Sequence, residues 1–320
     1  MSTMPEVLDN LSAPPKRFIV GGITAAALAA TAAWVAYRAN RAERNDPQSG
    51  TFMDVDGTRL HYVDRGSGPV IVLLHGNALR LEDFVAAGMI DRLAKHHRVI
   101  AFDRPGFGHS DRPRMQLWTP DAQAELLQKA LKRLGVSNAV ILGHSWGTLV
   151  AIALTLREQT AVRRLVLISG YYFPDARLDV LLAAPAAIPG IGEVLRYTVS
   201  AIFARLTLGR AIKAMFHPKP VPTDFLPVLS REMLVRPLQL RADAEDAGFM
   251  IPAARALSQR YTEITVPVVI FAGEDDKVVS PDKQARKLHA RLDRSELRVI
   301  PGEGHMVHYG QLEQVIAAVE

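Results

Sequence analysis

Gly143-His144-Ser145-Trp146-Gly147 sets one serine between two glycines, directly after the apolar run Ala139-Val140-Ile141-Leu142 and before a helical stretch, Thr148 to Arg157. A strand-to-helix turn is the context in which the serine of a G-x-S-x-G pattern becomes a nucleophile. The turn pushes the hydroxyl out above the sheet edge. Gly143 and Gly147 let neighbouring backbone approach where a Cβ would clash, and the helix N-terminus beyond offers unpaired N–H groups to an anion. The chemistry indicated is attack by Ser145 on a carbonyl carbon.

A serine hydroxyl is a poor nucleophile at neutral pH and needs a base to remove its proton. Histidine suits that task because its intrinsic pKa lies near the working pH, and it needs a carboxylate to fix its tautomer and stabilise its cation. In chain order Ser…Asp…His the candidates are Ser145, Asp276 and His305. Asp276 falls in Gly273-Glu274-Asp275-Asp276, where spacing alone does not choose among the three adjacent acids. His305 closes Pro301-Gly302-Glu303-Gly304-His305. Of the ten histidines, His144 is expected to pack beneath the turn, and His308 is a weaker rival for the base. The tetrahedral oxyanion needs donors. The backbone N–H of Asn77, in Leu74-His75-Gly76-Asn77, and that of Trp146 are the candidates, with His75 steadying its loop through hydrogen bonds. Such a site needs no metal or organic cofactor. The chain has no cysteine, which excludes disulfides, a thiol nucleophile and a cysteine-ligated metal.

All three side chains follow apolar runs, and open α/β sheets place ligands past the C-terminal ends of their strands. Val70 to Leu74, Val99 to Phe102, Ala139 to Leu142, Leu165 to Ile168, Val268 to Phe271 and Leu297 to Ile300 read as strands, most of them buried on both faces. Thr51 to Val55 and Arg59 to Val63, joined by Asp56-Gly57, read as a hairpin. Leu81 to Lys95 has helical spacing. Pro120 to Leu134 is a clear helix, with Thr119 to cap it and Gly135 to end it. Helices also fit Pro281 to Leu292 and the stretch from Gln311. The alternation predicts a mostly parallel eight-stranded sheet covered on both faces. Residues 171–261 lack strand periodicity, and their prolines, Pro237 and Pro252 among them, should break them into the short helices of a cap. The core is then 51–170 and 262–320.

The N-terminus differs. Residues 18–37 carry no charge, and twenty helical residues span roughly the 30 Å hydrocarbon core of a bilayer. Trp34 and Tyr37 sit at one end, where an aromatic belt would lie, with Arg38, Arg41 and Arg44 beyond. A cleaved signal peptide and a soluble alanine-rich helix compete with a retained single-pass anchor, which is the favoured reading. The flanking charges do not set its orientation. Residues 1–17 read as a tail and 38–50 as a linker. A net charge of +5 without a basic stripe carrying aromatics argues against nucleic-acid binding.

Taken together these motifs resemble the α/β-hydrolase superfamily, in its serine-nucleophile, capped, esterase- or lipase-like branch. The resemblance covers about residues 52–320. It rests on His75-Gly76-Asn77, on Asp103-Arg104-Pro105-Gly106-Phe107-Gly108-His109-Ser110, on the Ser145 turn, on Gly273 to Asp276 and on Gly304-His305. It implies that the acid lies three residues after the glycine, which selects Asp276, and that Asp103 to Ser110 is a structural turn. The His-Gly-Asn and Asp-Arg-Pro-Gly-Phe-Gly runs are similar to those of haloalkane dehalogenases and epoxide hydrolases, but those enzymes attack with a carboxylate where this chain has Ser145. Trp146 is similar to their halide-binding tryptophan.

The expected function is a membrane-anchored serine hydrolase acting on a small, apolar carboxylic ester or related acyl compound. A cofactor-free perhydrolase or a carbon–carbon bond hydrolase using the same triad is the alternative. A non-catalytic binding protein on the same scaffold is a third.

Overall fold

The computed structural model describes residues 16–47, 49–175 and 184–320; most of the expected tail, 1–17, and residues 176–183 of the expected cap lie outside these. The apolar runs become an eight-stranded sheet: β1 (Thr51–Val55), β2 (Thr58–Arg65), β3 (Val70–Leu74), β4 (Arg98–Phe102), β5 (Ala139–His144), β6 (Val162–Ile168), β7 (Val268–Gly273) and β8 (Ser295–Ile300). Their order is β1-β2-β4-β3-β5-β6-β7-β8. β2 pairs antiparallel with β1 and β4, and the other neighbours are parallel. The hairpin therefore forms one edge.

Strand side chains alternate between faces, and the core divides accordingly. Val72, Leu74, Ile100, Phe102 and Ile141 pack with α4 (Pro120–Arg133) and α5 (Gly147–Arg157) on one face. Ile71, Leu73, Val99, Ala101, Val140 and Leu142 pack on the other with α2 (Glu82–Ala86), α3 (Met89–Leu93) and the last helix. Two buried layers explain why these strands read as continuous apolar runs. Thr119 caps α4 as its position suggests, Oγ1 accepting from Ala122 N–H at 3.2 Å.

The region after β6 contains helices among its described residues: α6 (Ile191–Tyr197), α7 (Val199–Phe216), α8 (Phe225–Leu229), α9 (Arg231–Leu234) and α10 (Pro237–Ser258). The chain closes with α11 (Lys287–His289), entered through one wider helical turn at Asp282–Arg286, then α12 (Val307–Gly310) and α13 (Leu312–Val319).

Three expectations are corrected. The helix expected over 81–95 is two helices, because Gly88 adopts a left-handed φ of 68° between them. Pro252 does not break α10. It sits on the exposed face, where water can reach the carbonyl that the missing N–H leaves free. The expected linker 38–50 is helical as far as Asn45, since α1 runs over Lys16–Asn45. No helix breaker intervenes before Pro47, and the last turns of α1 are held by tertiary contacts. Val35, Ala39 and Ala42 are buried. Arg38 pairs with Glu232 at 2.8 Å and Glu43 with Arg236 at 2.9 Å. Just past α1, Asp46 lies 2.7 Å from Arg80 and 2.9 Å from His109.

Candidate active site

The turn from β5 into α5 is as sharp as the glycine pattern requires. Ser145 has φ 50°, a left-handed conformation that side chains rarely adopt and that persists where surrounding structure holds it. Ser145 N–H donates to Ile168 C=O at 2.8 Å, tying the turn to β6. Gly147 lies so close to the end of β3 that a Cβ there would stand 2.3 Å from the Leu74 carbonyl oxygen. No side chain fits between α5 and that strand end.

The three expected side chains meet at this turn. Ser145 Oγ and His305 Nε2 are 2.9 Å apart, and His305 Nδ1 and Asp276 Oδ2 are 2.8 Å apart. Both the His305 and Asp276 side chains are about nine-tenths or more shielded, at 2% exposure each, so their contact is little screened by water. The other oxygen of Asp276 accepts the backbone N–H groups of Val278 at 2.7 Å and Val279 at 2.9 Å. These two bonds aim Oδ2 at the imidazole. Asp275 instead uses its backbone, donating to Glu303 C=O at 3.0 Å.

His305 is held from two sides. Its N–H donates to the Met215 carbonyl of α7 at 3.1 Å, and its own carbonyl faces His144 Nε2 at 3.2 Å. His144 is fully buried beneath the turn, as expected. Burial, then the nearby His308 and His305, hold its pKa well below the ordinary imidazole value, so it is neutral and donates from Nε2. His308 lies farther back, with Nε2 3.1 Å from Asp83 Oδ2, and does not reach Ser145.

The loop after β3 abuts the serine: a Cβ on Gly76 would stand 3.0 Å from Ser145 Cβ. His75 fixes this loop, with Nδ1–H donating to Gly76 C=O at 2.7 Å and Nε2 accepting Arg104 N–H at 3.0 Å. Burial, reinforced by the Arg104 cation, lowers its pKa to about 3, which keeps this tautomer neutral. The Asn77 side chain donates to Asp243 C=O at 3.1 Å, and Ala78 N–H donates to the Asp243 carboxylate at 2.8 Å. The Asn77 amide thus sits on a loop pinned to α10. Burial, then the Asp246 charge, raises the Asp243 pKa to about 7.

Sequence reasoning assigned no chemistry to Asp103–Ser110, yet Arg104 in that run organises the site. Its fully buried guanidinium donates to His75 C=O at 2.9 Å, Gly76 C=O at 3.1 Å, Gln123 Oε1 at 3.1 Å and Asp246 Oδ2 at 2.5 Å. It also lies over the rings of Phe107 and Trp146, 4.3 and 4.5 Å from their centroids. Trp146 donates its indole N–H to Asp246 C=O at 2.9 Å, so that group is committed to the cap. The available signal was a charged pair, Asp103-Arg104, directly after a strand buried on both faces.

The model of the alpha/beta hydrolase fold family matches residues 69–311, and the chain belongs to that family. It is 27% identical over 284 residues to the mesoderm-specific transcript protein of Mus musculus, covering 83% of this chain and 82% of that one. It is 25% identical over 280 residues to haloalkane dehalogenase 2 of Mycobacterium tuberculosis, covering 85% and 94%. Its fold is similar to that of an esterase from Exiguobacterium antarcticum, with a TM-score of 0.69, 22% identity and coverage of 84% and 97%.

Proposed function

We propose that the protein is a membrane-anchored serine hydrolase that cleaves a carboxylic ester or related acyl compound. The observation that carries this reading is the unbroken contact chain Ser145 Oγ–His305–Asp276, at 2.9 and 2.8 Å. Ser145 attacks the carbonyl while His305 Nε2 takes its proton, Asp276 stabilises the imidazolium, and the Asn77 and Trp146 amides hold the oxyanion. His305 then returns the proton to the leaving alcohol, and water repeats the sequence on the acyl-enzyme. A carboxylate nucleophile, as in displacement at an alkyl carbon, has no counterpart at position 145. The anchor reading draws on α1, whose residues Val20–Asn45 include a stretch apolar and long enough to cross a bilayer. Val20, Ile23 and Leu28 on it are exposed.

The test is Ser145→Ala against a series of p-nitrophenyl esters. Turnover should vanish while thermal unfolding stays nearly unchanged; turnover like that of the parent would refute the nucleophile. Sedimentation of the intact chain with membranes after a high-salt wash tests the anchor.

A further inference from the structure

Helix α7 carries an apolar line that nothing among the described residues covers. Val199, Ile202, Phe203 and Leu206 follow the i, i+3, i+4, i+7 spacing of one helix face, and they are 60%, 37%, 64% and 78% exposed. Ile191 and Val194 of the neighbouring α6 extend the patch, at 58% and 60% exposure. Continuing along the same face, the line turns basic, with exposed Arg210 and Lys213. The opposite side of α7 is fixed: Ala201, Ile212 and Phe216 are buried, the last two in a cluster with Phe225 and Leu229. The exposed line is therefore held in one orientation. Contiguous exposed apolar surface of this kind marks an interaction site.

The position of α7 identifies the occupant. Arg205, on the first half of α7, lies over the Trp34 ring of α1, 5.0 Å from its centroid. Arg205 and Arg38 share Glu232, at 2.9 and 2.8 Å. The apolar half of α7 thus sits beside the level at which α1 passes from its uncharged run to Trp34, Tyr37 and the arginines at 38, 41 and 44. Aromatic residues and cations at the end of a membrane helix mark the headgroup layer. An apolar helix face flanked by cations is the pattern of a helix lying in that layer.

We propose that the exposed face of α6 and α7 beds into the surface of the lipid bilayer that α1 enters, so that the cap has a second membrane contact. This rests on reading α1 as a retained anchor. Phe203 and Leu206 enter the acyl boundary, while Arg210 and Lys213 lie among phosphate headgroups. The cap is then oriented on the membrane at two points.

The absence of cysteine makes single-cysteine labelling clean. The full chain, carrying Phe203→Cys, Leu206→Cys, Leu28→Cys or Asp293→Cys in turn, is labelled with an environment-sensitive fluorophore. Each variant is placed in phosphatidylcholine–phosphatidylglycerol vesicles without nitroxide, with shallow nitroxide lipid for the probes at 203, 206 and 293, or with deep acyl-chain nitroxide lipid for the probe at 28, which lies near the bilayer centre. Leu28 reports on α1, and Asp293 is an exposed position in the loop before β8. Probes at 203 and 206 should shift to the blue and lose at least about half their emission to the nitroxide, as expected for burial in the headgroup and acyl boundary, while the probe at 293 is unaffected. Unquenched probes at 203 and 206 beside a quenched probe at 28 would overturn the inference and leave the anchor standing. An unquenched probe at 28 would remove the anchor and the inference with it. A blue shift at 203 that nitroxide does not quench, and that disappears as protein is diluted in lipid, would replace the bilayer with a second copy of the chain.

Discussion

Replacing Arg104 by methionine removes the guanidinium and keeps an unbranched apolar stem between Phe107 and Trp146. Four acceptors each lose one donor: the His75 and Gly76 carbonyls, Gln123 Oε1 and Asp246 Oδ2. Stripping one partner from a buried ion pair destabilises by roughly 3–5 kcal/mol. Asp246 keeps Arg112 Nη2 at 2.9 Å and Gln123 Nε2 at 3.2 Å, which places its share at the lower end. The buried His75 carbonyl, without that donor, adds roughly 1–3 kcal/mol where water is excluded, and less where water enters the space left, while the Gly76 carbonyl keeps the His75 Nδ1–H at 2.7 Å. A total of about 4 kcal/mol follows, a large part of the roughly 5–15 kcal/mol that holds a domain folded. The assay is urea unfolding of the full chain in detergent, read as a shift of midpoint at unchanged slope. Because the lost bonds fix the peptides just before Asn77, kcat on a p-nitrophenyl ester should also fall, by about ten- to a hundredfold, part of the loss expected for a missing oxyanion donor. Arg104→Lys should fall between, since an ammonium does not reproduce the planar fork. A stability loss below about 1 kcal/mol with unchanged kcat would show that the clamp holds nothing.

Asp276→Asn should lower kcat by about four orders of magnitude with little effect on folding, because an amide at that place favours the wrong imidazole tautomer; Asp275→Asn should be close to neutral, and the reverse pattern would move the acid. Gly147→Ala drives a Cβ to within 2.3 Å of the Leu74 carbonyl oxygen. With backbone on both sides it should cost about 3 kcal/mol or more, and a melting curve like the parent's would contradict the close approach. Asp243 has a folded-state pKa raised to about 7, so the folded chain binds that proton more tightly than the unfolded one. Stability from this group is greatest at acid pH and falls as pH rises from about 4 to 7, by at most about 4 kcal/mol. Its partial exposure brings the effect to about 1–2 kcal/mol. Asp243→Asn should flatten that slope in unfolding measured from pH 5 to 8, and an unchanged slope would assign it elsewhere.

The reactive turn was legible because strands covered on both faces leave unbroken apolar runs, and the turn residues must follow where those runs stop. The acid was not legible from spacing, because Glu274, Asp275 and Asp276 are equivalent until the loop folds. What distinguishes Asp276 is a local backbone event, the capture of the Val278 and Val279 amides by one oxygen. The break at Gly88 was hidden because one glycine inside a helical pattern is weak punctuation. The length of α1 was misread because charged residues after an apolar run look like a linker. Their partners, Glu232 and Arg236, lie nearly two hundred positions away. Arg104 escaped for the same reason: its carboxylate partner is on α10, a hundred and forty-two positions later.

The contacts made beyond the apolar run bear on where this enzyme can be cut. Arg80 is 1% exposed and has two carboxylates beside it, Asp46 at 2.7 Å and Glu82. A soluble version beginning at Thr51 would discard Asp46, Glu43 and the buried Val35, Ala39 and Ala42 side chains. It would leave His109 and Arg236 without their acidic neighbours. A version beginning at Ala33 would shed most of the apolar stretch and keep every one of these contacts. If α1 is the retained anchor proposed above, protease release of an active, water-soluble form would have to occur upstream of Val35, within the stretch that the bilayer would then shelter.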